Sequence, residues 1–231
     1  MPSLKVSPTY SAVSAALRQL IGYELKAFLD SHIGKHAAPN SPMVTTILNI
    51  LNADRWRASG HAPNLALGHS IGDVAAASTM QLLSLADALH TARVLGQVGA
   101  QCLGAMVHAH LSHVEVVEWS DEHLQVAAIN GTSTDSLVSI TLVGPVAGVA
   151  AWSTLHHSAK WLPPPHPWHH PVHLDIPSVS DGSALASLPA GRCSIGADSG
   201  CFLSGDAPGH FLRSEEHTSE LQSRQYLVCR L

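Results

Sequence analysis

Gly68-His69-Ser70-Ile71-Gly72 sets a serine between two glycines, after the apolar run Leu65-Ala66-Leu67 and before the alanine-rich stretch Asp73 to Ala77. A Gly-x-Ser-x-Gly at a strand-to-helix turn is a nucleophile elbow, which lifts the serine oxygen clear of the backbone. Gly68 and Gly72 permit a tight turn and keep side chains off that oxygen. The helix that follows points free amides and its positive end at the place where an oxyanion would form. This pattern predicts Ser70 as a nucleophile for acyl chemistry. It makes the Ile71 amide the oxyanion donor, with Gly68, His69 and Gly72 bordering the substrate.

A serine hydroxyl at its free pKa is a poor nucleophile and needs a base. The chain has 17 histidines, so no single one is strong evidence. The densest group is His166, His169, His170 and His173 in a proline-rich segment. Four imidazoles also permit a metal reading. No carboxylate or cysteine stands at a ligand-like interval in that run, and its prolines restrict how the rings converge. No metal is expected.

The elements that must hold these residues follow from apolar spacing. Helices are expected over 11–29 and 44–56, with a break between Pro39 and Pro42 and a loop over 59–63. The elbow strand and a helix over 73–80 come next. Ser84 with Asp87 three residues on reads as an N-cap opening a helix to about Cys102. The pattern changes from Gly104. A strand over 105–111, a short helix over 112–119, strands over 124–130 and 137–143, a helix over 145–157 and a short strand over 160–162 give the order β-α-β-β-α-β of a ferredoxin-like module. Asn130-Gly131 reads as a turn between two of its strands. Residues 181–209 read mainly as loop, with one strand near Cys201-Phe202-Leu203.

Composition limits the function classes. The chain has 231 residues, 45% of them hydrophobic, enough for a core of ordinary size. A net charge of −5 with 12 Lys and Arg argues against nucleic-acid binding. Met1-Pro2-Ser3-Leu4-Lys5 lacks a signal peptide's apolar segment, and no apolar run is long enough to span a membrane. Cys102, Cys193, Cys201 and Cys229 form no Cys-x-x-Cys pair, so a reduced, cytoplasmic chain is expected. From Arg213 to Ser223 the composition changes abruptly, and the segment resembles the translation of a DNA-sequencing adapter. Residues 213–231 are therefore expected to be a non-native tail.

Gly68-His69-Ser70-Ile71-Gly72-Asp73-Val74-Ala75-Ala76-Ala77, followed by Leu83-Ser84-Leu85-Ala86-Asp87-Ala88, resembles the acyltransferase (malonyl-CoA:carrier-protein transacylase) domain of polyketide and fatty-acid synthases. That family shows Gly-His-Ser-x-Gly-Glu and then Leu-Ser-Leu-x-Asp-Ala. Asp73 stands for its Glu. Leu162-Pro163-Pro164-Pro165-His166-Pro167-Trp168-His169-His170-Pro171 resembles the family's Leu-Pro-x-x-His-Ala-Phe-His-Ser-Pro, whose second histidine is the base. The resemblance thus makes His169 the base, with His170, in place of the family's Ser, as the fallback. His166 and Trp168 become substrate-binding positions.

The resemblance implies an α/β-hydrolase-like core over 1–103 and 163–212, with an inserted ferredoxin-like subdomain over 104–162. It implies acyl transfer from a coenzyme A thioester, through acyl-Ser70, to the phosphopantetheine thiol of an acyl carrier protein. No cofactor is bound, and other synthase domains are expected neighbours. The family's Gly-Gln-Gly motif, a second source of oxyanion donors, is not visible, and its last segment is missing, so a truncated core is expected. The aromatic at Trp168 points to malonyl-type units. Against this, Leu95 stands where the family holds the malonyl carboxylate with an arginine. Arg93 is two residues away, about 200° around a helix. The runner-up is a serine hydrolase, whose acid would be Asp87, Asp121 or Asp135. A third reading is an inactive fragment.

Overall fold

The computed structural model describes residues 7–61, 66, 68–121, 123–132, 137–163 and 166–170. The predicted strand near Cys201, the segment from Arg213 onward and His173 lie outside the described residues, as do Leu65 and Leu67 of the elbow strand.

Five helices come first: α1 (Pro8–Ile21), α2 (Leu25–His32), α3 (Ser41–Ala58), α4 (Gly72–Thr79) and α5 (Leu85–Gly99). The expected helix over 11–29 is in fact two. Gly22 takes the left-handed conformation (φ 74°) and donates its N–H to the Arg18 carbonyl, 2.8 Å away, which caps α1. At the other end the Ser7 hydroxyl accepts the Tyr10 amide, with Pro8 in the first turn. α5 opens as its sequence predicts, with the Ser84 hydroxyl accepting the Asp87 amide at 3.1 Å. The helices share one apolar core, in which Val13, Leu17, Phe28, Met43, Ile47, Val74 and Leu89 are almost fully buried. Each such side chain contributes about 1.5–3 kcal/mol.

The second unit is β1 (Ala105–Ser112), α6 (His113–Val117), β2 (Gln125–Thr132), β3 (Leu137–Gly144), α7 (Val146–Leu155) and β4 (Lys160–Leu162). Its sheet runs β2-β3-β1-β4, and every neighbouring pair is antiparallel. The β-α-β-β-α-β order expected from the sequence is the order found. α6 starts with a capping box between Ser112 and Glu115. Asn130-Gly131 is not a turn. Both residues lie within β2, where the register with β3 shifts between Ile129 and Gly131, so the Asn-Gly pair serves a bulge. One face of β1 carries Val107, Ala109 and Leu111 into a core with Ile140, Leu142 and Val149. Among the described residues no helix is long and apolar enough to cross a membrane.

The other face of β1 carries His108 and His110, with Ser139 and Lys160 on the neighbouring strands. His108 Nε2 lies 2.9 Å from the Ser139 hydroxyl, and its ring meets His110 edge to face. Burial disfavours the charged form of His108, and His110 and Lys160 add repulsion, so its pKa lies below the ordinary histidine value. The unfolded chain therefore takes up this proton first as pH falls, and the stability contributed by neutral His108 is lost below about pH 6.5. The melting temperature of the parent should drop more between pH 7.5 and 5.5 than that of His108→Gln. Parallel drops in calorimetry would remove His108 as the cause.

Candidate active site

Ser70 and His169 meet. The Ser70 hydroxyl lies 2.8 Å from His169 Nε2 across 99 residues of sequence. For imidazole to take the proton, Nε2 must be the bare nitrogen, and the hydroxyl then donates to it. Both residues have left-handed backbones, with φ of 55° at Ser70 and 67° at His169. Such conformations cost on the order of 1–3 kcal/mol each for residues with a Cβ, and persist only where the surroundings fix them.

The elbow supplies the first of these constraints. Gly72 N–H donates to His69 O at 2.9 Å, Asp73 N–H to Ser70 O at 3.0 Å and Val74 N–H to Ile71 O at 3.2 Å. These bonds consume the amides after Ile71 in starting α4. The Ile71 amide makes no backbone bond among the described residues, which suits it to an oxyanion. A Cβ on Gly68 would lie 2.1 Å from the Asp73 nitrogen, so Gly68 is the point where the incoming chain touches the start of α4. A Cβ on Gly72 would meet nothing within 4 Å. The glycine freedom expected at the elbow is thus a matter of space, and the left-handed residue is Ser70 itself.

His169 is fixed by its neighbours. The His170 N–H donates to the Pro167 carbonyl at 3.0 Å, closing a turn with His169 third, where a positive φ is normal for a type II turn. The Trp168 ring fills the space left by the absent Cβ of Gly99 at the end of α5, and Pro167 does the same at Gly104. Trp168 is half-buried against α5, with its ring 5.8 Å from that of His166.

His166 is buried. The sequence places it among substrate-binding residues, but only 6% of it is exposed. Its Nε2 accepts the Ala38 N–H at 3.0 Å, and its Nδ1 faces the Cys102 carbonyl at 3.3 Å. Both polar atoms of the ring are spent inside the protein. Sequence reasoning missed Ala38, Gly99, Cys102 and Gly104 as the residues against which His166, Pro167 and Trp168 sit. Ala38 and Cys102 act through backbone atoms, which leave no mark in residue type.

Leu95 is half-buried against the helical core, with Ile71 on the same cluster. Arg93 points elsewhere, as its helical offset predicts: its Nη1 donates to the Leu20 carbonyl near the end of α1 at 3.0 Å. Asp87 is engaged with Ser84 at the start of α5, and Asp121 accepts the His123 and Leu124 amides. Asp135 lies outside the described residues. Among the described residues no group of three or more His, Cys, Asp or Glu is placed to hold a metal ion.

No protein-family model matches the chain. Among curated proteins, the highly reducing polyketide synthase acrA of Aspergillus aculeatus is 28% identical over 172 residues, 64% of this chain and 7% of that protein. The highly reducing polyketide synthase ZEA2 of Gibberella zeae is 34% identical over 116 residues, 46% of this chain and 5% of that protein. The chain therefore spans only 5% to 7% of the length of these relatives. Among solved structures, a loading acyltransferase from the avermectin modular polyketide synthase superposes with a TM-score of 0.69 at 23% identity, over 92% of this chain and 72% of that one. The malonyl-CoA:ACP transacylase of Synechocystis sp. PCC 6803 gives 0.67 at 17% identity, over 96% and 75%. FabD from Acinetobacter baumannii gives 0.68 at 20% identity, over 94% and 77%. These likenesses are of fold.

Proposed function

We propose that this chain, similar in sequence to polyketide synthases and folded as acyltransferase domains are, transfers acyl groups from coenzyme A to an acyl carrier protein through acyl-Ser70. The observation that carries this reading is the 2.8 Å contact between the Ser70 hydroxyl and His169 Nε2 at a helix start. Ser70 Oγ attacks the thioester carbonyl carbon while its proton passes to His169 Nε2. The oxyanion rests against the Ile71 amide. The C–S bond then breaks, and the coenzyme A thiolate takes the proton from His169. In the second half the phosphopantetheine thiol gives its proton to His169 and attacks the acyl ester. Ser70 Oγ leaves and recovers the proton. No cofactor enters either step.

The core around the elbow is α/β-hydrolase-like in this reading, and the protein is cytoplasmic, working beside other synthase domains. The hydrolase alternative is weakened because Asp87 and Asp121 are engaged in a helix cap and a turn, where a triad acid would be held by its histidine.

The class is malonyl-type, but the specific unit that Leu95 and Arg93 favour is neutral, such as acetyl. A buried carboxylate without a bidentate partner costs several kcal/mol, and a pocket gains or loses only about 1–3 kcal/mol per methylene. Arg93, two residues from Leu95, is committed to the Leu20 carbonyl. Intact-mass measurement after incubation with acetyl-CoA and malonyl-CoA should show one acyl adduct that passes to added carrier protein. Leu95→Arg should shift the preference toward malonyl by tenfold or more. Loss of the adduct to water without carrier protein would favour a hydrolase. A tenfold malonyl preference untouched by Leu95→Arg would sink the arginine argument.

A further inference from the structure

His166 joins three parts of the chain that sequence separates widely. Its Nε2 accepts the amide of Ala38, ahead of α3, and its Nδ1 faces the carbonyl of Cys102, between α5 and β1. A carbonyl only accepts, so Nδ1 carries the proton, and a ring nitrogen that receives an N–H must be bare. The two partners therefore admit one neutral tautomer and one ring orientation. Three residues later stands His169, in a left-handed backbone that its own sequence does not prefer. The turn between them is also held by the Pro167–His170 bond and by the seats of Trp168 on Gly99 and Pro167 on Gly104.

We infer that His166 is a positioning residue whose clamp between Ala38 and Cys102 holds the His169 turn, and with it Nε2, against Ser70. The inference rests on the acyl-transfer reading of Ser70 and His169, and it removes His166 from direct contact with the acyl group. The His166 ring has both nitrogens engaged inside the protein. It sets the position of another imidazole, and geometry errors of about 1 Å at a reacting pair cost about 100-fold in rate.

The test uses the full 231-residue chain and a fluorophosphonate probe, which phosphonylates a base-activated serine with loss of fluoride. His166→Phe keeps an aromatic ring, larger than imidazole, and loses both bonds. At a temperature where the variant is folded by circular dichroism, its labelling rate should fall on the order of 100-fold. His166→Gln, whose amide offers one acceptor and one donor, should restore most of the rate. The double variant His166→Phe/His169→Ala should be no slower than His169→Ala alone, because His166 acts through His169. If His166→Phe does not fold, His166→Asn replaces it. Its shorter amide reaches one partner and leaves the other unpaired. A His166→Phe rate equal to the parent, or a double variant slowed by the product of the single effects, overturns the clamp and leaves Ser70 and His169 intact. Unchanged labelling in His169→Ala overturns the acyl-transfer reading and the clamp together.

Discussion

His169→Ala should slow acylation of Ser70 by about 100- to 10,000-fold, equivalent to about 3–5 kcal/mol of barrier. The Ser70 hydroxyl has one imidazole nitrogen at 2.8 Å, and at neutral pH it is protonated without help. Ser70→Ala should remove the acyl adduct altogether, and combining the two changes should cost little more than Ser70→Ala alone. His170→Ala should keep most of the rate, because the turn that holds His169 uses the backbone of His170, which alanine retains. Intact mass after timed exposure to acyl-CoA reads all four proteins. Full acylation of His169→Ala with loss in His170→Ala would transfer the base to His170. An adduct that survives Ser70→Ala would remove Ser70 as nucleophile.

That pair was legible in the sequence because its signals are residue types at fixed intervals. Gly-x-Ser-x-Gly before a helix marks Ser70, and the His-Pro-Trp-His run marks His169 through family resemblance. The small sheet was legible for another reason: β-branched and apolar residues alternate along β1 and β3, and one face must be buried. The boundary at Gly22 was harder. Apolar spacing continues through it, and only a left-handed glycine with its capping bond separates α1 from α2. The Asn-Gly pair in β2 failed as a turn signal because the same backbone freedom also serves a bulge. The partners of His166 were hidden for a deeper reason. Its type suggests chemistry, but its ring is held by an amide and a carbonyl from distant residues, and any residue can supply those atoms. Gly99 and Gly104 were silent as well, since what matters there is the missing Cβ beneath Trp168 and Pro167.

Gly68→Ala and Gly72→Ala should part company, although the motif treats the two glycines alike. A Cβ at Gly68 would come within 2.1 Å of the Asp73 nitrogen and 2.3 Å of the Gly72 carbonyl carbon. Both are backbone atoms of the first turn of α4 and cannot rotate away. Relief requires Gly68 and the helix start to separate, which moves Ser70 between them. Overpacking of this kind costs about 1–3 kcal/mol or more, and displacement of the nucleophile by about 1 Å costs about 100-fold in rate. Gly68→Ala should therefore melt at a lower temperature and acylate at least 100-fold more slowly. At Gly72 the added methyl meets nothing within 4 Å, and φ lies outside the left-handed region. Alanine is the better helix former by up to about 1 kcal/mol, so Gly72→Ala should match or exceed the parent's stability. Any loss of acylation in that stable variant is then steric, and it assigns Gly72 to the open side of the serine, where substrate enters. Equal destabilisation by both substitutions, measured by thermal denaturation, would contradict the packing at Gly68 on which this contrast depends.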